Sequence, residues 1–516
     1  MRPLYILGRS TFIFYLYIRL RLNHSRKVRC VFATAFLGLL LTSASLSARG
    51  QSDADSVHRA AAALSSHQYD QAIQILTPLL KEHPRDARLW TLRGVALDGL
   101  GQTKGSLDSF DHALSIDSKF APALEGAAQT TYLHRDPRAM RYVQRLLALS
   151  PDNAVANAMA GALAYQGHDC AHTISYFQKS GSSVDQSPNA LGEFAACLLK
   201  NNETGEAVQR LSHGVELHPE SVQLKYNLAV AELQDHNPSE AIRVLAPLAA
   251  VKDSGLLNLL ASAYIQANQP DDAFQTLENA IQISPEDQTN YLDLAILCLE
   301  HNQETRSVTA ATAGIARVSK PAELYLIRGV AYAQLADYDK AESDFTAAAQ
   351  IEPDQPHSTV AMSLLYSDRN QVDKEKALLN HQLKLTPNDA VTNYLLADLL
   401  IRSGTEPGQP AFQQALTHLA TSLKSRPDSA EAQVLMGKLL EQQDKLPEAL
   451  EHYNLALRAE PDNRSALDRK FVLLRKLHRN QEAAEILGHL KVVISRELKQ
   501  GESAAQVRVE RTPAQN

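Results

Sequence analysis

The chain has 516 residues, 44% hydrophobic but only 6% aromatic, so its core must be built mainly from Ala and Leu. That suits close-packed helices and argues against a β-sandwich, which needs β-branched and aromatic side chains. A formal net charge of −7 excludes the concentrated basic face that nucleic-acid binding requires.

Residues 1–48 reverse the charge balance. They carry Arg2, Arg9, Arg19, Arg21, Arg26, Lys27 and Arg29 and no acid, which leaves 44 Lys/Arg against 58 Asp/Glu, or −14, for the rest. Arg26-Lys27-Val28-Arg29 precedes an apolar run from Val31 to Leu41 and then the small residues of 42–48. That order is a secretory signal, with cleavage expected after Ala48 and Ser47 or Ala44 as alternatives. The apolar run is too short to span a bilayer comfortably. An earlier apolar stretch, Leu4 to Leu22, is cut by Arg9 and Arg19. Either translation begins near Val28 or the whole leader is kept as a membrane anchor. The destination expected is the periplasm or the cell exterior, with the inner membrane as the alternative.

From residue 53 a single period dominates. Prolines close Leu/Ala-rich runs at Pro84, Pro151, Pro219, Pro285, Pro353, Pro387, Pro427 and Pro461, spaced by 34 or close to twice 34, except one gap of 40. A second series of small residues runs in phase: Ala72, Ser106, Ala139, Thr173, Ala207, Ala241, Ala273, Ser307, Ala341, then Ala415, Ala449 and Ala483. Repeats of this length mean stacked two-helix units, none of which can bury its apolar face alone.

Residues 322–355 carry the pattern most fully, with Tyr325, Gly329, Tyr332, Tyr338, Ala341, Phe345, Ala348 and Pro353. On these positions the chain resembles the tetratricopeptide-repeat family, as do 254–287, 430–463 and, with Ser118 in place of the proline, 87–120. The resemblance implies an all-α, right-handed solenoid of about thirteen repeats. Repeats one to four are expected over 53–187, repeats five to thirteen over 188–490, and a helical extension with a disordered tail over 491–516. Matches are weak at 154–187, the second half of 288–321, 356–389 and the last repeat. Gly or Ala at the eighth position (Gly94, Gly161, Ala229, Ala261, Gly329, Gly437) and Ala at the twentieth let two helices approach closely, and a larger side chain there would overpack the contact.

Several local patterns suggest chemistry and then fail on spacing. Gly99-Leu-Gly-Gln-Thr-Lys-Gly-Ser106 has its Lys one place too early for a phosphate loop and has no strand before it. His134-Arg135-Asp136 sits in the equivalent interhelix turn without the partner motifs of a kinase. The histidines form no metal-ligand spacing; His67, His168 and His478 recur near turns, facing solvent. Cys170 and Cys197 could be neighbours on adjacent helices, but free buried thiols are expected, as for Cys298. Gly181 to Pro188 reads as a hinge. Residues 403–411 enlarge one interhelix turn by six residues and account for the gap of 40. With repeats filling 53–490, no stretch is left for a catalytic domain. No enzyme activity, cofactor or metal is expected.

Function is therefore expected on the solenoid surface, and by resemblance on the concave face made by the first helices. The Lys/Asn pair of the family's carboxylate clamp is missing, as is a regular Asn ladder at the sixth position, where Glu125, Met159, Glu193 and Asn227 stand in succession. The candidates are Tyr226, Asn227 and Asn258 in a fairly apolar strip with Ile296, Leu326 and Val330. A charged end follows with Asp398, Arg402, Lys438, Arg469, Arg475 and Lys476. The apolar positions serve either docking or the packing of neighbouring first helices. Other proteins or peptides are the partners expected, in an interaction scaffold of the envelope, or else in an assembly factor anchored by its leader; nucleic acid is not expected, and membrane only through a retained leader.

Overall fold

The computed structural model describes residues 48–510. In it 26 α-helices and two short 3-10 turns follow one another, with no strand among the described residues. They form thirteen hairpins, from Ala48–Ser65 with Tyr69–Glu82 to Arg464–Lys476 with Asn480–Glu510. The all-α repeat fold read from the sequence is the one observed, including hairpins where the repeat pattern is weak. The leader, Ala48 apart, lies outside the described residues.

Every hairpin turn contains a left-handed residue just after its first helix. These recur at His67, Gly101, Arg135, His168, Asn202, His236, Asn268, Asn302, Ala336, Asn370, Gly404, Asp444 and His478, with φ between 53° and 83°. The next residue's N–H reaches back to a carbonyl of the first helix, as from Gln102 to Leu97 and from Asp337 to Tyr332, at 2.8 and 2.9 Å. This arrangement uses carbonyls that the helix end would otherwise leave unpaired.

Inside the hairpin, the sizes of facing residues are matched. Gly94, Gly161, Gly329 and Gly437 each lie against an aromatic ring of the second helix: Phe110, Phe177, Phe345 and Tyr453. A Cβ added to these glycines would come within 2.5–2.7 Å of the ring. Where the first helix carries Ala instead, the second usually carries a larger aliphatic residue at the equivalent place: Ala60 with Leu76, Ala127 with Val143, Ala195 with Leu211, Ala229 with Leu245 and Ala397 with Leu419, all buried; Ala295 with Ala311 is the exception. Between hairpins, the carbonyl of the helix-ending proline accepts a hydrogen bond from the fourth residue of the next repeat. Trp90 Nε1 donates to Pro84, Asn157 to Pro151, Tyr291 to Pro285, Asn393 to Pro387 and Gln433 to Pro427, at 2.8–3.0 Å. Asn153 and Asn463 cap first helices as their turn sequences predict, accepting from Ala156 and Ala466.

The chain divides into two compact units that part between Ala280 and Ile281. Residues 181–188 are packed where a hinge was expected. Gly181–Gln186 is a 3-10 turn with Val184 fully buried, and the His218 ring donates to the Asp185 carbonyl at 2.7 Å. Cys170 and Cys197 correct the free-thiol expectation, because they form a disulfide. Cys170 opens the second helix of repeat four and Cys197 lies inside the first helix of repeat five, so stacking brings them together across 27 residues of sequence. Cys298 is free and buried. The last helix continues to Glu510, beyond the end of its apolar pattern near Leu498, so the tail is helical further than its composition suggests. Residues 511–516 lie outside the described residues. The enlarged turn is ordered by Gly404 and Gly408 at positive φ, with Thr405 buried. Gln409 Oε1 accepts from the Glu406 N–H at 3.2 Å.

Candidate functional site

Within each unit the first helices of successive repeats touch one another, except Ala390–Arg402 with Ala430–Gln442, whereas successive second helices make no comparably close contacts. The first helices are therefore the inner layer, and their outward positions form the inner face. Most of that face is small or apolar, and polar groups stand out on it.

In the unit of residues 48–280, Tyr226, Asn227 and Asn258 are half-buried. Asn227 Oδ1 accepts from Gln223 Nε2 at 2.9 Å. Its Nδ2 points across to the preceding repeat, where a Cβ on Gly192 would lie 2.7 Å away. Beside Gly192 is Glu193, which composition and spacing alone did not single out. Burial pushes its carboxyl up to about 7, and among the described residues no Lys, Arg or His forms an ion pair with it. Tyr165 of the repeat before feels that charge and is itself raised, first by burial. Two repeats earlier Glu125 is raised by burial too, although Asn153 Nδ2 donates to it at 3.3 Å. Asn258 keeps a buried Oδ1 without a hydrogen bond.

In the unit of residues 281–510 the sequence strip resolves differently. Ile296 and Leu326 are only 4% exposed; they pack neighbouring helices, while Val330 stays half-buried. Arg402 is committed internally. Its Nε donates to Asp398 at 2.7 Å and its Nη2 to Glu375 at 3.0 Å. Glu375, 1% exposed, occupies the place where every other repeat has Ala, Ser or Thr. Ser363 Oγ, from the opposing position, donates to it at 2.9 Å, and its second oxygen is buried without a hydrogen bond. Lys438 is half-buried and Arg475 exposed. Asp398 and Arg402 thus meet each other, but neither meets Lys438 or Arg475 in an ion pair. Asp53, Glu82 and His83 bring ligand-type atoms within 4.8 Å of one another. They sit at the surface with His83 Nε2 3.1 Å from Asp53 Oδ2.

The family comparison agrees with this architecture. Tetratricopeptide-repeat models match residues 59–121 and 411–464, and 254–287 and 322–355. Comparison of the sequence with curated proteins finds no match. Among solved structures, yeast Tom70 is similar over 90% of this chain and 100% of its own, at 14% identity and a TM-score of 0.41. The anaphase-promoting-complex hetero-tetramer Cut9-Hcn1 aligns over 82% and 90%, at 14% identity and a TM-score of 0.34. Naa15/Naa10 bound to HypK-THB aligns over 85% and 68%, at 14% identity and a TM-score of 0.34. Hairpins recurring at one period, matched glycine–aromatic contacts and the repeat models converge on one conclusion: the chain is a tetratricopeptide-repeat protein.

Proposed function

We propose that the protein is a non-catalytic scaffold of the cell envelope, exported by its leader, that holds partner proteins or peptides against the inner faces of its repeats. The observation that carries this reading is the use of the described chain. Hairpins occupy 48–510, and what they leave over is surface. Export is supported by the order of charge, apolar run and small residues before Ala48. The Cys170–Cys197 disulfide adds support, since such bonds persist in oxidising compartments. A retained leader would make the protein an anchored assembly factor; no helix among the described residues is long and apolar enough to cross a membrane. N-terminal sequencing of protein recovered from cell fractions separates the two. A soluble envelope form starting near Arg49 supports the scaffold, an intact leader in the membrane fraction supports the anchor, and a cytoplasmic chain with reduced cysteines contradicts both.

A further inference from the structure

We infer that the inner face of repeats four to six, centred on Glu193, takes a basic peptide segment, with a Lys or Arg side chain seated against the Glu193 carboxylate. This rests on the scaffold reading and names the chemistry of its partner.

Three residues from successive repeats surround the position. Tyr165 lies on one side, Glu193 in the middle, and Asn227 reaches in from the other side over Gly192, where an added Cβ would crowd its amide nitrogen at 2.7 Å. Gln223 orients the Asn227 amide through its oxygen, and the amide's nitrogen donates to none of the described residues. That N–H group suits a peptide carbonyl. The carboxyl is half-buried, yet among the described residues it has no hydrogen bond and no cation. Placing a charge in such a setting is costly unless a partner compensates it. Lys200, seven residues along the same helix, is exposed and makes no ion pair with it. The neighbouring inner-face residues are small: Ala158 and Gly192 are half-buried and Ala196 is exposed. Tyr165, Glu193 and Asn227 stand on the first helices of three successive repeats, a spacing that suits an extended peptide better than a small cation.

The test uses the mature chain and three 12-residue peptides, (Ala-Lys-Gly)4, (Ala-Gln-Gly)4 and (Ala-Glu-Gly)4, with binding followed by calorimetry and carbodiimide footprinting. The lysine peptide is expected to bind about tenfold tighter than the glutamine peptide and to protect Glu193 from labelling. Glu193→Gln is expected to abolish that preference, and Glu216→Gln, at an exposed site (79%), to leave it intact. Because the carboxylate must be ionised to hold a cation, and burial opposes ionisation, affinity should fall as pH drops below about 7. Equal binding of the lysine and glutamine peptides, or no effect of Glu193→Gln, overturns the assignment. A photo-crosslinker at Ala196 in intact cells distinguishes the two levels. Capture of a protein through an acidic or apolar segment sinks only the basic-peptide inference, whereas no capture there or at Arg475 also removes the scaffold reading.

Discussion

At the scale of single residues, the helix contact inside each hairpin is set by complementary size. A ring fits only where the facing residue has no Cβ, as between Gly329 and Phe345, and an aliphatic side chain fits where that residue is Ala. Gly329→Ala should therefore cost about 1–3 kcal/mol through overpacking. Adding Phe345→Leu, which recreates the Ala–Leu pairing of other repeats, should recover much of that loss. Denaturant unfolding of the single and double variants measures both, and a double variant no better than the sum of its parts would contradict the size rule. The left-handed turn residue offers a second check. Ala336 holds φ 60° without the local hydrogen bonding that eases Asn or Asp there. Ala336→Gly should stabilise the chain by about 1 kcal/mol, read as a rise in melting temperature.

At the scale of elements, much was legible in the sequence and some was not. Helix ends were readable because Pro, Asn and Asp act locally, and the caps at Asn153 and Asn463 follow directly. The disulfide was half legible: Cys170 and Cys197 could be placed on adjacent helices, but how closely stacking brings their sulfurs together depends on tertiary packing that residue spacing does not carry. Reduction of that bond, or Cys197→Ser, should lower stability by about 2–4 kcal/mol, seen by comparing unfolding with and without dithiothreitol. Repeat ten was visible as a weak match but not as a polar core. Thr359 Oγ1 donates to Gln382 at 3.0 Å, and Ser363 and Glu375 replace the usual small-residue contact. Burial holds the Glu375 carboxyl above its usual range, against the lowering effects of Ser363 and Arg402. The folded chain thus binds this proton more tightly than the unfolded chain, so the site's contribution is present at low pH and is lost as pH rises through the folded value. Glu375→Gln should be at least as stable as the parent at pH 8, with the difference shrinking towards pH 5. A loss above about 2 kcal/mol at pH 8 would show instead that the carboxylate paired with Arg402 is the stabilising form.

At the scale of the whole molecule, the period fixed the kind of fold and the number of hairpins, because each repeat must satisfy the same contact with its neighbour. The docking residues were harder to read. A repeat position says that a side chain faces inward, but not whether a neighbour already occupies it. Ile296 and Leu326 proved to be packing residues, and Arg402 was taken up by Asp398 and Glu375. Glu193 stands out only once its burial and lack of a cation are known. The proposed scaffold function would place partners on the inner layer of first helices, which can be compared with the outer layer in one experiment. A photoreactive residue is placed at Ala196 or Arg475 on first helices, or at Gln209 or Gln414 on second helices, all exposed positions, and the chain is crosslinked in living cells. Discrete protein adducts from the first-helix positions and few from the others are predicted; adducts from the second-helix positions alone would contradict the assignment of function to the inner face.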